Sequence, residues 1–262
     1  VMVFVRWVLL HYKRKENAQT RYQKRLEQEV NERTTELQEL NEQLFQASIT
    51  DQMTGLHNRR YLDEHIGEKL ENILYDFSES ILDDTMSCVS GPRLMALMFD
   101  LDGFKPINDN YGHEAGDKVI KQVASILKEQ CTNEDIVVRW GGDEYLIVAR
   151  VNDLNHAQQV AENIRLSIAD YQFDIGLTRR FSLSASLGFA LYPFTHRAPH
   201  SVSWDQVHLL ADHALYKSKE AGRNTWSGIV EADHELPFSK LNTLVPNLES
   251  TIENGDVKVI IR

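Results

Sequence analysis

Cysteine and positive charge are both scarce in this chain of 262 residues, and each shortage removes a class of protein. The two cysteines, Cys88 and Cys131, lack Cys-x-x-Cys spacing. A disulfide framework is therefore not expected, and a reducing compartment is the simpler setting. The ten histidines give no expectation of a zinc site. Lys and Arg number 28 against 39 Asp and Glu, a net charge of −11. Sequence-independent binding to duplex nucleic acid depends on neutralising phosphates with Lys and Arg, so it is excluded as a main activity. The first 50 residues are nearly balanced, so the negative excess falls on the remainder, where a nucleotide site would need local cations or a metal. What is present is ordinary: 42% hydrophobic and 26% charged residues, a composition that excludes disordered, collagenous and multi-span membrane chains.

The chain begins at Val1 without an initiator methionine and is expected to be a fragment of a longer protein. Residues 1–15 run from an apolar stretch broken by Arg6 into His11-Tyr-Lys-Arg-Lys15. That order resembles the cytoplasmic end of a transmembrane helix, although spanning takes about 20 apolar residues. The alternative is an amphipathic start to the next helix. A membrane anchor upstream, with this chain on its cytoplasmic side, is the corresponding expectation. Residues 16–47 contain neither Gly nor Pro. Leu26, Val30, Leu37, Leu40, Leu44 and Ala47 repeat at spacings of three and four once Arg33 is counted in the seam. This heptad pattern predicts a parallel two-stranded coiled coil, hence a homodimer.

Ser48-Ile-Thr-Asp51 offers N-cap residues for a new helix. Residues 48–228 then alternate helical and strand patterns. Leu94–Phe99 reads as a buried strand ending at Asp100, and residues 118–128 as a helix. Ile136–Val138 and Tyr145–Ala149 read as strands joined by a hairpin at Gly141-Gly142-Asp143-Glu144. Val160, Ile164 and Ile168 mark another helix. Phe181 to Leu191 alternate with small residues, predicting a half-buried strand, and residues 205–221 predict a last helix. Residues 78–92 and 195–203 read as loops. Residues 229–262 are an extension without an assigned role, with a candidate hairpin at Asn254-Gly255.

The strand ending at Asp100 and the hairpin tip carrying Asp143 and Glu144 would gather carboxylates if they are neighbours in one sheet. Like charges so placed resist ionising unless a divalent cation lies among them, which points to Mg²⁺ held between protein and substrate phosphates. Strand-end acids that merely solvate a loop are the other reading.

Several motifs carry a family resemblance. Arg139-Trp-Gly-Gly-Asp-Glu-Tyr145 resembles the signature of the GGDEF diguanylate cyclases. Asp51-Gln-Met-Thr-Gly-Leu-His-Asn-Arg-Arg60, Phe99-Asp-Leu-Asp-Gly-Phe-Lys-Pro-Ile-Asn-Asp109, Gly112-His-Glu-Ala-Gly-Asp117, Ser186-Leu-Gly188, and Ala211–Lys217 with Lys219–Asn224 resemble further family motifs in order, over about 180 residues. The resemblance implies an α+β fold: a palm-like, nucleotidyl-cyclase-like central sheet, mostly antiparallel, flanked by helices and preceded here by the long coiled-coil helix. It implies condensation of two GTP into cyclic di-GMP and two pyrophosphates across a symmetric dimer. A catalytically silent module that binds nucleotide or relays dimerisation is the alternative.

Matched residue by residue, the family assigns Mg²⁺ (or Mn²⁺) to Asp100, the Leu101 carbonyl, Asp143 and Glu144. Asp143, Glu144 and Lys105 would be catalytic. Whether Asp143 is base, ligand or both stays open. Phosphates would meet Lys105, Lys219, Arg223, Gly142 and the amides of Gly103 and Phe104. Asn108 and Asp117 would read guanine, with His113 nearby. Read without the family, Asn108 fits an Asx-turn, Asp117 a helix cap and His113 a structural bond, while Arg59, Arg60 and Arg139 fit pairs or caps. Gly103, Pro106 and Tyr145 depart mildly from the pattern. The family's Arg-x-x-Asp product-binding motif is degenerate: Asp135 is kept and Thr132 stands in place of Arg.

Overall fold

A computed structural model describes residues 2–82, 91–176, 180–196, 198–232 and 244–262. It separates into two units, residues 1–48 and 49–262.

The first unit is a single helix, α1 (Met2–Ile49), unbroken over 48 residues, of which only Ile49 falls in the second unit. The segment expected as a membrane exit is thus the start of the same helix. No helix among the described residues is long and apolar enough to cross a membrane. The heptad residues Leu26, Val30, Leu37, Leu40 and Leu44 are all 48–61% exposed, so the stripe is presented and not buried within one chain.

The second unit runs β1 (His57–Asn58), α2 (Arg59–Leu82), β2 (Arg93–Asp102), α3 (Phe104–Tyr111), α4 (His113–Gln130), β3 (Ile136–Gly141), β4 (Glu144–Val151), α5 (Leu154–Ala169), β5 (Ser184–Tyr192), α6 (Trp204–Glu220), β6 (Trp226–Glu231), α7 (Leu248–Glu253) and β7 (Val257–Ile261). The sheet order is β1-β3-β4-β2-β5-β6-β7. Four pairings are antiparallel, while β1–β3 and β5–β6 are parallel.

Alternation along β2 divides the core. Met95, Leu97 and Phe99 face Val119, Val123 and Leu127 of α4 and Ile164 and Ile168 of α5. Leu94, Ala96 and Met98 face Leu62 and Ile73 of α2 and Val207, Leu210 and Ala214 of α6. By the same parity Asp100 and Asp102 point to the side of α6. Such strand parity decides which helix can reach the acids.

Five expectations are corrected. Asp51 does not cap a helix: α2 starts later, with Asn58 Oδ1 accepting from the Tyr61 amide at 3.2 Å. Strand β5 is buried on both faces, because its small residues admit α6 closely. A Cβ on Gly188 would fall on the Leu215 backbone nitrogen. Phe181 lies outside β5, in an isolated bridge to Phe173. Asn254-Gly255 is no hairpin: Gly255 (φ 74°) turns α7 into β7, which pairs with β6. The last residues therefore extend the sheet. Of the loop expected at residues 78–92, Ser78 continues α2, and residues 83–90, Cys88 among them, lie outside the described residues.

Candidate active site

Strand β2 delivers Asp100 to the sheet's centre, directly opposite Glu144 of β4 and Ser186 of β5. Asp143 sits at the tip of the β3–β4 turn, beside Gly142, whose φ of 53° suits a residue without Cβ. Arg139 braces that tip. Its Nε and Nη2 donate to the Gly142 carbonyl at 3.0 and 2.8 Å, and its Nη1 lies 3.2 Å from Asp51. Asp51 also accepts from the Thr54 amide and hydroxyl at 2.9 and 2.6 Å. The pairing role expected for Arg139 is borne out. Arg60 pairs with Glu64, and Arg59 lies over the Trp140 ring at 4.6 Å.

Lys219, on the last turn of α6, places Nζ 3.1 Å from Asp100 Oδ2. Burial raises the Asp100 carboxyl above its usual range; Lys219 opposes that rise, and Asp143 and Asp102 add to it. Glu144 is raised as well, by burial first and then by Asp100. Lys219 opposes the rise at both carboxyls.

Gly103 (φ 74°) turns the chain from β2 into α3. The first amides of α3 have no partner within the helix. Pro106, in the first turn, sacrifices only such an amide. Lys105 is exposed beside them. Asn108 on α3 faces α4, where a Cβ on Gly116 would collide with its side-chain amide. No Asx-turn bond from the Asn108 side chain is found among the described residues. Asp117 is the fifth residue of α4, so it is not the helix cap. It is exposed, as is His113 at the start of α4. Arg223, also exposed, follows α6 with φ 65°.

Asp102 was not singled out by its residue type, yet it organises the site. It accepts from Ser184 and Ser186 at 2.6 and 2.7 Å and from the Asn224 amide at 3.0 Å. Its shared parity with Asp100, opposite small hydroxyl residues, was the available signal.

The Thr132–Asp135 turn lies at the opposite end of β3 from the hairpin tip. There Asp135 Oδ2 accepts from the Thr132 amide at 2.7 Å and hydroxyl at 2.9 Å. A cavity of about 350 Å³ adjoins it, lined by Cys131, Ile147, Asn163 and neighbours. Burial pushes the Cys131 thiol up to about 12.

The donor set at Asp100 suits a hard divalent cation: carboxylates and a main-chain carbonyl. Among the described residues no three His, Cys, Asp or Glu side chains converge to hold a metal alone. Mg²⁺ is usually held by one or two carboxylates completed by water and substrate phosphates, a requirement that Asp100 with one neighbouring carboxylate would meet. His196 and His200 stand four residues apart, a spacing the zinc expectation passed over. His196 is engaged by Arg93 and by Glu231 at 3.1 Å.

The profile of the family described as "Diguanylate cyclase, GGDEF domain" matches residues 48–225. The chain is 34% identical over 184 residues to diguanylate cyclase A of Treponema denticola, covering 70% of this chain and 45% of that one. It is 32% identical over 201 residues to the bifunctional diguanylate cyclase/cyclic di-GMP phosphodiesterase MucR of Pseudomonas aeruginosa, covering 76% and 26%. The chain thus spans less than half the length of these curated relatives. Among solved structures it is similar to the coiled coil and GGDEF domain of DgcB from Caulobacter crescentus in complex with c-di-GMP. The TM-score is 0.59 at 27% identity, over 76% of this chain and 96% of that one.

Proposed function

The chain belongs to the GGDEF diguanylate cyclase family, and on that premise we propose that it condenses two GTP molecules into cyclic di-GMP, releasing two pyrophosphates. The observation that carries this reading is the register of Asp100 against Glu144, with Asp143 on the adjoining tip. No carboxylate of the signature or of the β2 end has been lost.

In this reading each protomer of a two-fold dimer holds one GTP, Asn108 and Asp117 meeting the guanine edge. A carboxylate accepts from guanine N1–H and N2–H₂, donors that adenine does not present together. His113 lies beside them on the same helical hairpin. Lys105, Lys219, Arg223 and the amides of Gly103 and Phe104 meet the triphosphate, and Gly142 lets it approach the hairpin. Asp100, the Leu101 carbonyl, Asp143 and Glu144 would hold Mg²⁺ or Mn²⁺, which supplies charge neutralisation at the phosphates when bound. The 3′-oxygen of each GTP attacks the α-phosphate of the other, its proton passing to Asp143, and pyrophosphate leaves. Positioning and charge stabilisation supply most of such a rate.

Symmetric apposition comes from α1. Five exposed apolar heptad residues need a partner, and a second copy in parallel register provides it while aligning the two half-sites. The free thiol and the nucleotide substrate suit the bacterial cytoplasm. Incubating the chain with GTP and Mg²⁺ tests the reading: cyclic di-GMP is expected, and its absence from a verified dimer would refute it.

A further inference from the structure

Helix α5 carries an arginine, Arg165, with only 4% of its side chain exposed. Glu162, one turn earlier, takes two of its donors, Nε at 3.0 Å and Nη2 at 2.9 Å. Glu162 is itself fixed by Trp226 Nε1 at 3.1 Å and by Arg262 Nε, just past β7, at 3.1 Å. The third donor, Arg165 Nη1, reaches Asn224 Oδ1 at 2.7 Å. The amide of the same Asn224 donates to Asp102 Oδ2 at 3.0 Å. Asn224 is therefore gripped twice, by its side chain from α5 and by its backbone from β2.

The grip has a conformational purpose. Arg223 and Asn224 both have positive φ, 65° and 46°. Asn tolerates the left-handed region, but Arg adopts it rarely and at a cost that its surroundings must cover. Arg223 itself is exposed and makes no side-chain bond among the described residues; its amide closes the end of α6 on the Ser218 carbonyl at 3.1 Å, and on its other side the chain is held through Asn224. We propose that Arg165 and Asp102, acting through Asn224, are positioning residues that hold the turn bearing Arg223 ready for the phosphates of GTP. This rests on the role given to Arg223 above.

The test uses the whole chain with Mg²⁺ and a non-reacting probe, α,β-methylene GTP, titrated calorimetrically. Asn224 is exposed, so its variants should fold, which melting curves check. Asn224→Gly keeps the backbone conformation accessible but deletes the Arg165 bond, and it should weaken binding about five- to tenfold, one hydrogen bond's worth. Asn224→Asp keeps an acceptor for Arg165 and should bind within about twofold of wild type, a rescue that a general loosening would not show. With Arg223→Ala already present, Asn224→Gly should have no further effect. An undiminished affinity in Asn224→Gly, or an equal loss with and without Arg223, overturns the positioning role. Wild-type affinity in Arg223→Ala alone overturns the phosphate role of Arg223 and the positioning with it.

Discussion

Lys219 reaches across from α6 to within 3.1 Å of Asp100 at the end of β2. It is the cation that offsets the burial of that carboxylate. Lys219→Met should therefore raise the Asp100 pKa further, as read by carboxyl NMR titration without divalent metal. Folded protein would then hold its proton to higher pH than unfolded chain, so the variant should lose stability as pH rises through that range. An Asp100 titration that stays put or moves down would contradict the pairing.

Glu144 makes the complementary case. Burial and the Asp100 charge hold its carboxyl above the ordinary 4.5. Between that value and the folded-state pKa the folded protein binds more protons than the unfolded chain, so stability falls with rising pH. Glu144→Gln should accordingly melt higher than wild type at pH 7 without divalent metal, the gain fading toward pH 4.5. Activity should fall by about a hundredfold or more, as expected when a carboxylate that would hold the charge-neutralising metal ion is removed. A lower melting temperature at pH 7 would show that Glu144 is not under charge strain.

The α3–α4 hairpin depends on a missing methyl group. A Cβ at position 116 would displace the Asn108 amide and press on Phe104. Gly116→Ala should weaken GTP binding about two- to tenfold, the range for one neutral hydrogen bond, with far-ultraviolet circular dichroism unchanged. Unaltered GTP affinity would remove Asn108 from the guanine site.

At the degenerate product motif, Thr132 lacks a guanidinium and its amide and hydroxyl occupy Asp135 Oδ2. Losing a charge-assisted contact of this kind costs about 1.5–3 kcal/mol, roughly tenfold or more in affinity. Adjacent Glu134 adds repulsion toward phosphates. Cyclic di-GMP titrated into nucleotide-free protein should show no tight binding there and little non-competitive inhibition. Micromolar binding abolished by Asp135→Ala would contradict this.

Local pattern made much of the molecule legible. The heptads from Leu26 to Ala47, the apolar run before Asp100 and the Gly-Gly turn each carry their own periodicity or turn chemistry, and the helix, strand and hairpin appear where they were expected. What escaped depends on distant partners. Asp102 meets Asn224 across 122 positions, and nothing near Asp102 announces that bond. Strand β5 alternates large and small residues, which reads as half-buried until α6 fills the small side. The weak pattern of residues 257–261 becomes a strand only because β6 offers an open edge. The site residues followed motif spacing, whereas the network that holds them did not.

The central claim is that two intact half-sites facing each other make cyclic di-GMP from GTP. It is tested most directly by mixing wild-type chain with Asp143→Asn chain at constant total concentration, allowing subunits to exchange, and measuring product against wild-type fraction. If each GTP must be attacked from the partner protomer's site, only wild-type pairs turn over, and activity falls as the square of the wild-type fraction. A linear fall, or no cyclic di-GMP from the pure wild-type dimer, would contradict the account.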